Sequence, residues 1–244
     1  MESKPGSGRP DAALQEVSHI FFDVGGTLMY SEPQAADIFR RVLASRGHLL
    51  DRERLLQLLR TPESIVSLIR PLPEEQTADY YRLVNTRVIE HLGFQPDDAM
   101  LQEIHDAFGT PVTWRIYPDT IAVLKGLRRS GYRLGVISNA SHTLPDILRR
   151  AGVAAHLDTI TYSFDVGAEK PNVRIFRRAL AQAGAIPETS LHVGDSYEVD
   201  YLGARRVGMH AVLLCREGEP PEPCPAVRSL EALAEILRPN RSPA

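Results

Sequence analysis

The sequence predicts an α/β fold, a parallel sheet core with helices on both faces and an α-helical domain inserted near its start. Three observations carry this. After Pro111, short β-favouring runs alternate with amphipathic segments, the pattern of a parallel sheet wrapped by helices. A further run of the same kind, His19-Ile20-Phe21-Phe22, stands alone near the start of the chain. Between the two, from Glu32 to about Thr110, apolar residues recur only at helical spacing, as in Ile38, Val42, Leu55, Leu59, Val84, Val88 and Leu92.

Taken in order, residues 1–17 are polar and carry Gly and Pro at first, then turn weakly helical, and read as a flexible leader. The first strand ends in Asp23 and the turn Val24-Gly25-Gly26-Thr27. Residues 32–110 form the helical insertion, termed the cap. The later strands are Leu134–Ile137, Thr159–Tyr162, Leu191–Val193 and Ala211–Leu214. Helices are expected over Thr120–Arg129, Thr143–Ala151, Val173–Ala183 and Tyr201–Val207. The core thus comprises 18–31 and 111–237, and residues 238–244 are a flexible tail. Trp114 falls in the returning linker and reads as a packing residue. Hinges are expected near Tyr30–Glu32 and Thr110–Tyr117.

Composition narrows the function classes. The 244 residues suffice for two unequal domains, and an apolar share of 43% is ordinary for a globular fold. A net charge of -3, with both signs mixed along the chain, gives no basic stripe for nucleic acid or an anionic membrane. No apolar run approaches the roughly 20 residues that span a bilayer, and Met1–Pro10 has no secretory pattern. The expectation is a cytoplasmic protein, monomer or homodimer, acting on a small molecule. Cys215 and Cys224 flank a Pro-rich loop, lack zinc-site spacing and read as structural. Of 28 basic residues only Lys4, Lys125 and Lys170 are lysines, so a lysine here is informative.

In open parallel sheets the ligand lies beyond the carboxyl ends of the strands. Those ends carry Asp23, Ser138-Asn139 and Gly194-Asp195, with Lys170 in the loop after the third strand. Each alone is a weak signal, since Asp, Asn, Ser and Gly are common in turns and caps; their combination in order is specific. Asp23–Leu28, Val136–Asn139, Lys170-Pro171 and Gly194–Asp200 resemble the four ordered motifs of the haloacid dehalogenase superfamily. Tyr117-Pro118-Asp119-Thr120 and Glu169–Asn172 with Ile175-Phe176 add similarity to its phosphatase-like members, and the insertion point resembles that of their caps. The resemblance implies a Rossmann-like core and a hydrolase.

Phosphoryl transfer needs an in-line nucleophile and neutralisation of spread negative charge. Asp23 can attack phosphorus and form an aspartyl-phosphate. Asp23, Asp195 and the Gly25 carbonyl make an oxygen set suited to Mg²⁺, with Asp200 on a coordinated water or orienting the shell. Gly26, Thr27, Ser138, Asn139 and Lys170 are the expected phosphate contacts, and Lys170 neutralises both nucleophile and phosphate. His19, His142, His192 and His210 lack metal-ligand spacing and read as structural or surface groups. Arg40, Arg41, Arg52 and Arg54 read as solvated helix faces.

The match departs from the family pattern at Gly25, where its phosphatases usually carry a second aspartate that serves as general acid and base. A main-chain metal ligand survives that change; acid/base help, typically worth 10²- to 10⁴-fold, does not. Three readings stand: a Mg²⁺-dependent phosphatase of a small phosphorylated metabolite, slowed or specialised by Gly25; a pseudoenzyme that binds a phosphorylated ligand or a partner protein; and a dehalogenase whose Asp23 attacks carbon. Asp195 and Asp200 resemble the metal-binding version of the fourth motif. A phosphonate hydrolase would need a cap lysine, and none lies between Lys4 and Lys125.

Overall fold

The computed structural model describes residues 12–32, 35–52, 55, 77–109, 114–216 and 219–237. They form two compact units, one running to Leu28 and resuming at Tyr117, the other spanning Met29–Ile116. The described strands are β1 (His19–Phe22), β2 (Met29–Ser31), β3 (Trp114–Ile116), β4 (Arg133–Ser138), β5 (Thr159–Tyr162), β6 (Ser190–Gly194), β7 (His210–Leu214) and β8 (Ala226–Val227).

In the first unit six strands pair in the order β5-β4-β1-β6-β7-β8, all parallel, with helices on both sides. The central strands are buried on both faces: β6 throughout and β4 from Leu134 onward. This is why they read as short continuous apolar runs rather than alternating ones. Helix α4 (Thr120–Arg129) buries Thr120, Val123, Leu124 and Leu127, a stripe at helical spacing. Helix α5 (Leu144–Arg150) and the short α6 (Ser163–Val166) follow β4 and β5. Helix α7 (Val173–Ala183) starts at Asn172, whose side chain accepts a hydrogen bond from the Arg174 amide, and stops at Gly184 in the left-handed region. Its inner face joins Phe21, Ile137, Ile175, Phe176, Ala179, Met209 and Ala211 in one cluster.

The segment expected as a helix over Tyr201–Val207 starts earlier and is wound differently. A π-helical turn covers Tyr197–Leu202, where the Tyr201 amide reaches back to the Ser196 carbonyl at 3.2 Å, and an α-turn covers Gly203–Arg205. The wider turn leaves Asp200 buried. Helix α8 (Leu230–Ile236) is capped by Ser229.

The second unit holds α1 (Ala35–Ala44), α2 (Thr77–His91) and α3 (Asp98–Gly109) around a core of Ile38, Phe39, Val42, Leu43, Leu55, Val88, Ile89, Met100 and Ile104, with Leu92 packed against it. Asp97 caps α3 through the Met100 amide at 2.7 Å. Leu59 and the Val84 side chain lie outside the described residues. Where linkers and hinges are expected from the sequence, β2 and β3 pair as an antiparallel ribbon, Ser31 opposite Trp114 and Met29 opposite Ile116. The chain therefore divides at Leu28 and Ile116, with the ribbon falling in the unit that holds these helices.

Residues 1–11 of the expected leader and the tail 238–244 lie outside the described residues. Ala12–Glu16 form a 3₁₀ turn, and Val17 is buried, so that the leader's last residues belong to the fold. Arg40 and Arg52 both lean on Asp37, at 3.8 and 3.1 Å; Arg54 lies outside the described residues. Cys215 and Cys224 are free thiols, and burial pushes both up. Among the described residues, no helix is long and apolar enough to cross a membrane.

Candidate functional site

The register of the central strands assembles the site. Phe22 is level with Val136 on one side and Val193 on the other, so Asp23, the next residue, is level with Ile137 and Gly194. Ser138 and Asp195 lie one residue further along their strands. The Asp23 amide donates to the Val193 carbonyl at 2.8 Å, which carries the parallel ladder one residue past β1 and holds the carboxylate at the sheet edge.

Lys170 joins the carboxylates. Its buried ammonium lies 2.6 Å from Asp23 Oδ1 and 2.6 Å from Asp200 Oδ1. Burial opposes the lysine charge, but Asp200 and Asp23 outweigh it and hold the ammonium above its ordinary pKa. Asp200 is the most heavily bonded of the acids. It also meets His192 Nε2 at 2.9 Å through Oδ1 and the Ser196 amide at 3.1 Å through Oδ2. Burial works against its charge, yet Lys170 and His192 bring its carboxyl well below the usual carboxylate range. Asp23, by contrast, is raised by burial, with Lys170 opposing.

Asp195 completes an acidic triad in which one ligand atom from each of Asp23, Asp195 and Asp200 lies within 4.8 Å of the others. The residue is exposed as a whole, and the Gly26 turn passes close to its carboxyl. Loss of water there, together with the negative charges of Asp23 and Asp200, pushes it up to about 8. Three carboxylates with one ammonium leave surplus negative charge, and an all-oxygen acidic donor set fits a hard divalent cation such as Mg²⁺.

The other residues named from the sequence fall as follows. Gly26 has φ +75°, and a Cβ there would stand 2.2 Å from Asp195 Oδ2, so the turn can pass this carboxylate only as glycine. Gly25 precedes it on the same turn. Thr27 is fully buried and its Oγ1 has no hydrogen-bond partner. Ser138 is buried at the end of β4. At Asn139, whose neighbouring amides are the expected phosphate donors, the side chain is engaged elsewhere: Oδ1 accepts from the Lys170 amide at 2.7 Å and Nδ2 donates to the Lys170 carbonyl at 3.0 Å. Its side chain holds the Lys170 backbone at both its amide and its carbonyl.

Two participants are missing from the sequence reading. His192, read there as structural or surface, is fully buried on β6 and bonds Asp200, with Phe176 edge-on to its ring at 5.4 Å. A titratable residue inside an otherwise apolar strand, three before Asp195, was the available signal. Arg216 binds Asp119 through both terminal nitrogens at 3.0 Å and the Thr27 carbonyl at 2.8 Å. Nothing local to Arg216 in the sequence announces that contact.

Two outcomes are expected. Gly26→Ala must place alanine in the left-handed region against Asp195, a cost of at least about 1 kcal/mol, read as a lower urea midpoint; an unchanged midpoint contradicts the close approach. Asp195 titrates higher folded than unfolded, so its contribution to stability is complete below about pH 4 and is lost as pH rises toward about 8. In chelator-treated protein, Asp195→Asn should therefore be more stable than the native chain at pH 8, with the gap closing toward pH 4. Thermal melts across that range check it, and a gap independent of pH contradicts it.

Comparison with known proteins agrees with this geometry. Residues 17–208 match the family model for haloacid dehalogenase-like hydrolases. The haloacid dehalogenase-like hydrolase domain-containing protein 3 of Mus musculus is 42% identical over 112 residues, covering 46% of this chain and 45% of that protein. The chain thus spans about half the length of this relative, and 49% of the Bos taurus counterpart. A glyceraldehyde 3-phosphate phosphatase of Methanothermobacter thermautotrophicus is 34% identical over 202 residues, covering 81% of this chain and 85% of that one. Among solved structures, a HAD phosphatase from Thermococcus onnurineus superposes with a TM-score of 0.62 at 26% identity, over 91% of this chain and 98% of that one. From the matched model, the relative aligned over most of its length and the strand-end carboxylates, the chain belongs to the haloacid dehalogenase-like hydrolase family.

Proposed function

We propose that the protein is a Mg²⁺-dependent phosphatase that hydrolyses a small phosphate monoester or acyl phosphate through an aspartyl-phosphate on Asp23. The observation that carries this reading is the Lys170 ammonium at 2.6 Å from both Asp23 and Asp200, inside an acidic triad at the strand ends. Asp23, Asp195 and the Gly25 carbonyl would hold the metal, with Asp200 behind them. When bound, Mg²⁺ supplies the positive charge that lets a phosphate dianion approach a carboxylate.

An Asp23 carboxylate oxygen forms a bond to phosphorus as the bond to the leaving oxygen breaks. Water then attacks phosphorus, releasing inorganic phosphate and restoring Asp23. Lys170 balances the charge of nucleophile and transferred group, and its fixed place between two carboxylates spares reorganisation during the reaction. The Ser138 hydroxyl and the amides of Gly26 and Asn139 serve the equatorial oxygens. The helical unit acts as the cap that selects substrate. Relatives named for glyceraldehyde 3-phosphate and phosphoserine, the latter from Thermus thermophilus at 35% identity over 140 residues, support a small phosphorylated metabolite.

Gly25 supplies no proton to the leaving alcohol, so activated esters should outpace alkyl phosphates by roughly 10²- to 10⁴-fold beyond their intrinsic difference. The same glycine favours a second reading, a binding role toward a phosphorylated ligand. The dehalogenase reading is weaker, because displacement of halide at carbon has no use for the surplus negative charge that Asp195 adds.

With Mg²⁺ the chain is expected to turn over 4-nitrophenyl phosphate or acetyl phosphate, with the activity lost on chelation and in Asp23→Asn. Silence across a broad phosphate panel sinks the enzymatic reading in favour of the binding role. Gly25→Asp is expected to raise the rate on alkyl phosphates. An unchanged or lower rate in the folded variant contradicts the account of the missing acid.

A further inference from the structure

The turn that carries Asp23 away from β1 has little of its own to hold it. Its internal bonds are Leu28 N to Val24 O at 3.0 Å and Thr27 N to Val24 O at 3.3 Å, and two of its residues, Gly25 and Gly26, bring no side chain. Support comes from outside. The Leu28 carbonyl accepts from the Tyr117 amide at 3.1 Å and from Thr120 Oγ1 at 2.8 Å. The Thr27 carbonyl accepts from Arg216 Nη2 at 2.8 Å. Two consecutive carbonyls are thus gripped by groups outside the turn.

Arg216 is the centre of those groups. Its guanidinium forks onto both oxygens of the buried Asp119 and lies 3.7 Å over the Tyr117 ring. Asp119 also accepts from the Leu230 amide at 3.0 Å, which ties the pair to the start of α8. The Arg216 side chain is 17% exposed and that of Asp119 6%, so the fork is held by packing as well as by charge. A planar fork can satisfy a carboxylate and a carbonyl together; a lysine ammonium on a flexible stem cannot reproduce this geometry.

We propose that Arg216, locked by Asp119, is a positioning residue for Asp23. It fixes the turn 24–28 so that the nucleophile, the Gly25 carbonyl and the passage of Gly26 past Asp195 hold their relative places. This inference rests on the reading of Asp23 as the nucleophile. Arg216 itself touches none of the reacting groups. The bland alternative is a surface-sealing ion pair that anchors α8 and leaves the turn indifferent.

The test uses the full chain with Arg216→Lys, and with Asp119→Asn as the milder variant should the first fail to fold. Amide hydrogen exchange is followed by mass spectrometry over peptides spanning the turn, with peptides from α5 as internal control, beside kcat and KM for 4-nitrophenyl phosphate in Mg²⁺. The expected result is faster exchange confined to the turn and the neighbouring Tyr117–Thr120 segment. With it, kcat should fall roughly 10- to 100-fold while KM stays near the native value, as loss of alignment rather than of affinity requires. Exchange at the turn equal to the native chain's overturns the proposal, and so does faster exchange with native kcat. If the native chain itself turns nothing over, the phosphatase reading fails, and the exchange arm alone decides whether Arg216 braces the turn.

Discussion

The ammonium of Lys170 between Asp23 and Asp200 is the contact on which the rest of the site depends. Carboxylates gathered at one sheet edge repel, and each loses hydration on burial, a cost of several kcal/mol per ion that only close pairing offsets. One lysine, 2.6 Å from two acids, provides that pairing for two of the three. The third, Asp195, bears the remainder, and its carboxyl is accordingly pushed up to about 8. The protein thus leaves one acid unpaired, which keeps its proton near neutral pH unless a cation takes the proton's place. His192 and the Ser196 amide steady Asp200, and the Asn139 carboxamide steadies the Lys170 backbone, so the pairing is itself supported from behind.

Sterics complete what charge begins. Two glycines at the strand ends are there because a side chain would collide with an acid: a Cβ at Gly26 would meet Asp195, and one at Gly194 would meet Asp200 Cγ at 2.2 Å. Gly203 plays the same part against Phe176, the ring packed on His192. The site is therefore compact because the backbone comes as close to the carboxylates as the absence of side chains allows.

Much of this was legible in the chain. All the sheet strands but the two-residue Ala226–Val227, and the helices Thr120–Arg129 and Val173–Ala183, follow from periodicity and caps, because burial of one stripe or of both faces leaves a direct imprint on residue type. Asp23, Lys170, Asp195 and Asp200 could be picked out because they sit at strand ends or follow fixed turns. What escaped notice depends on partners distant in sequence. The ribbon strands are three residues each and meet across the whole helical insertion. Arg216 reaches Thr27 across 189 positions. The hold of the Asn139 side chain on Lys170 spans 31 positions, and residue type says what a carboxamide can bond but not which group it meets. The π-turn that buries Asp200 has no compositional mark, being one extra residue in an ordinary helical pattern.

The antiparallel ribbon has a consequence for how such a chain folds. Strand β1 pairs with β4 in register, His19 opposite Arg133, although the whole helical unit intervenes. Closing a loop of that length by chance is entropically costly, though the cost grows only with the logarithm of length. The ribbon takes that cost on itself: once Met29–Ser31 and Trp114–Ile116 have zipped, Leu28 and Tyr117 are hydrogen-bonded neighbours. From the standpoint of the sheet, the excursion then behaves as a hairpin of a few residues. A domain attached in this way can grow, shrink or diverge between its two anchor points while the loop left for the sheet to close, once the ribbon has formed, stays the same length.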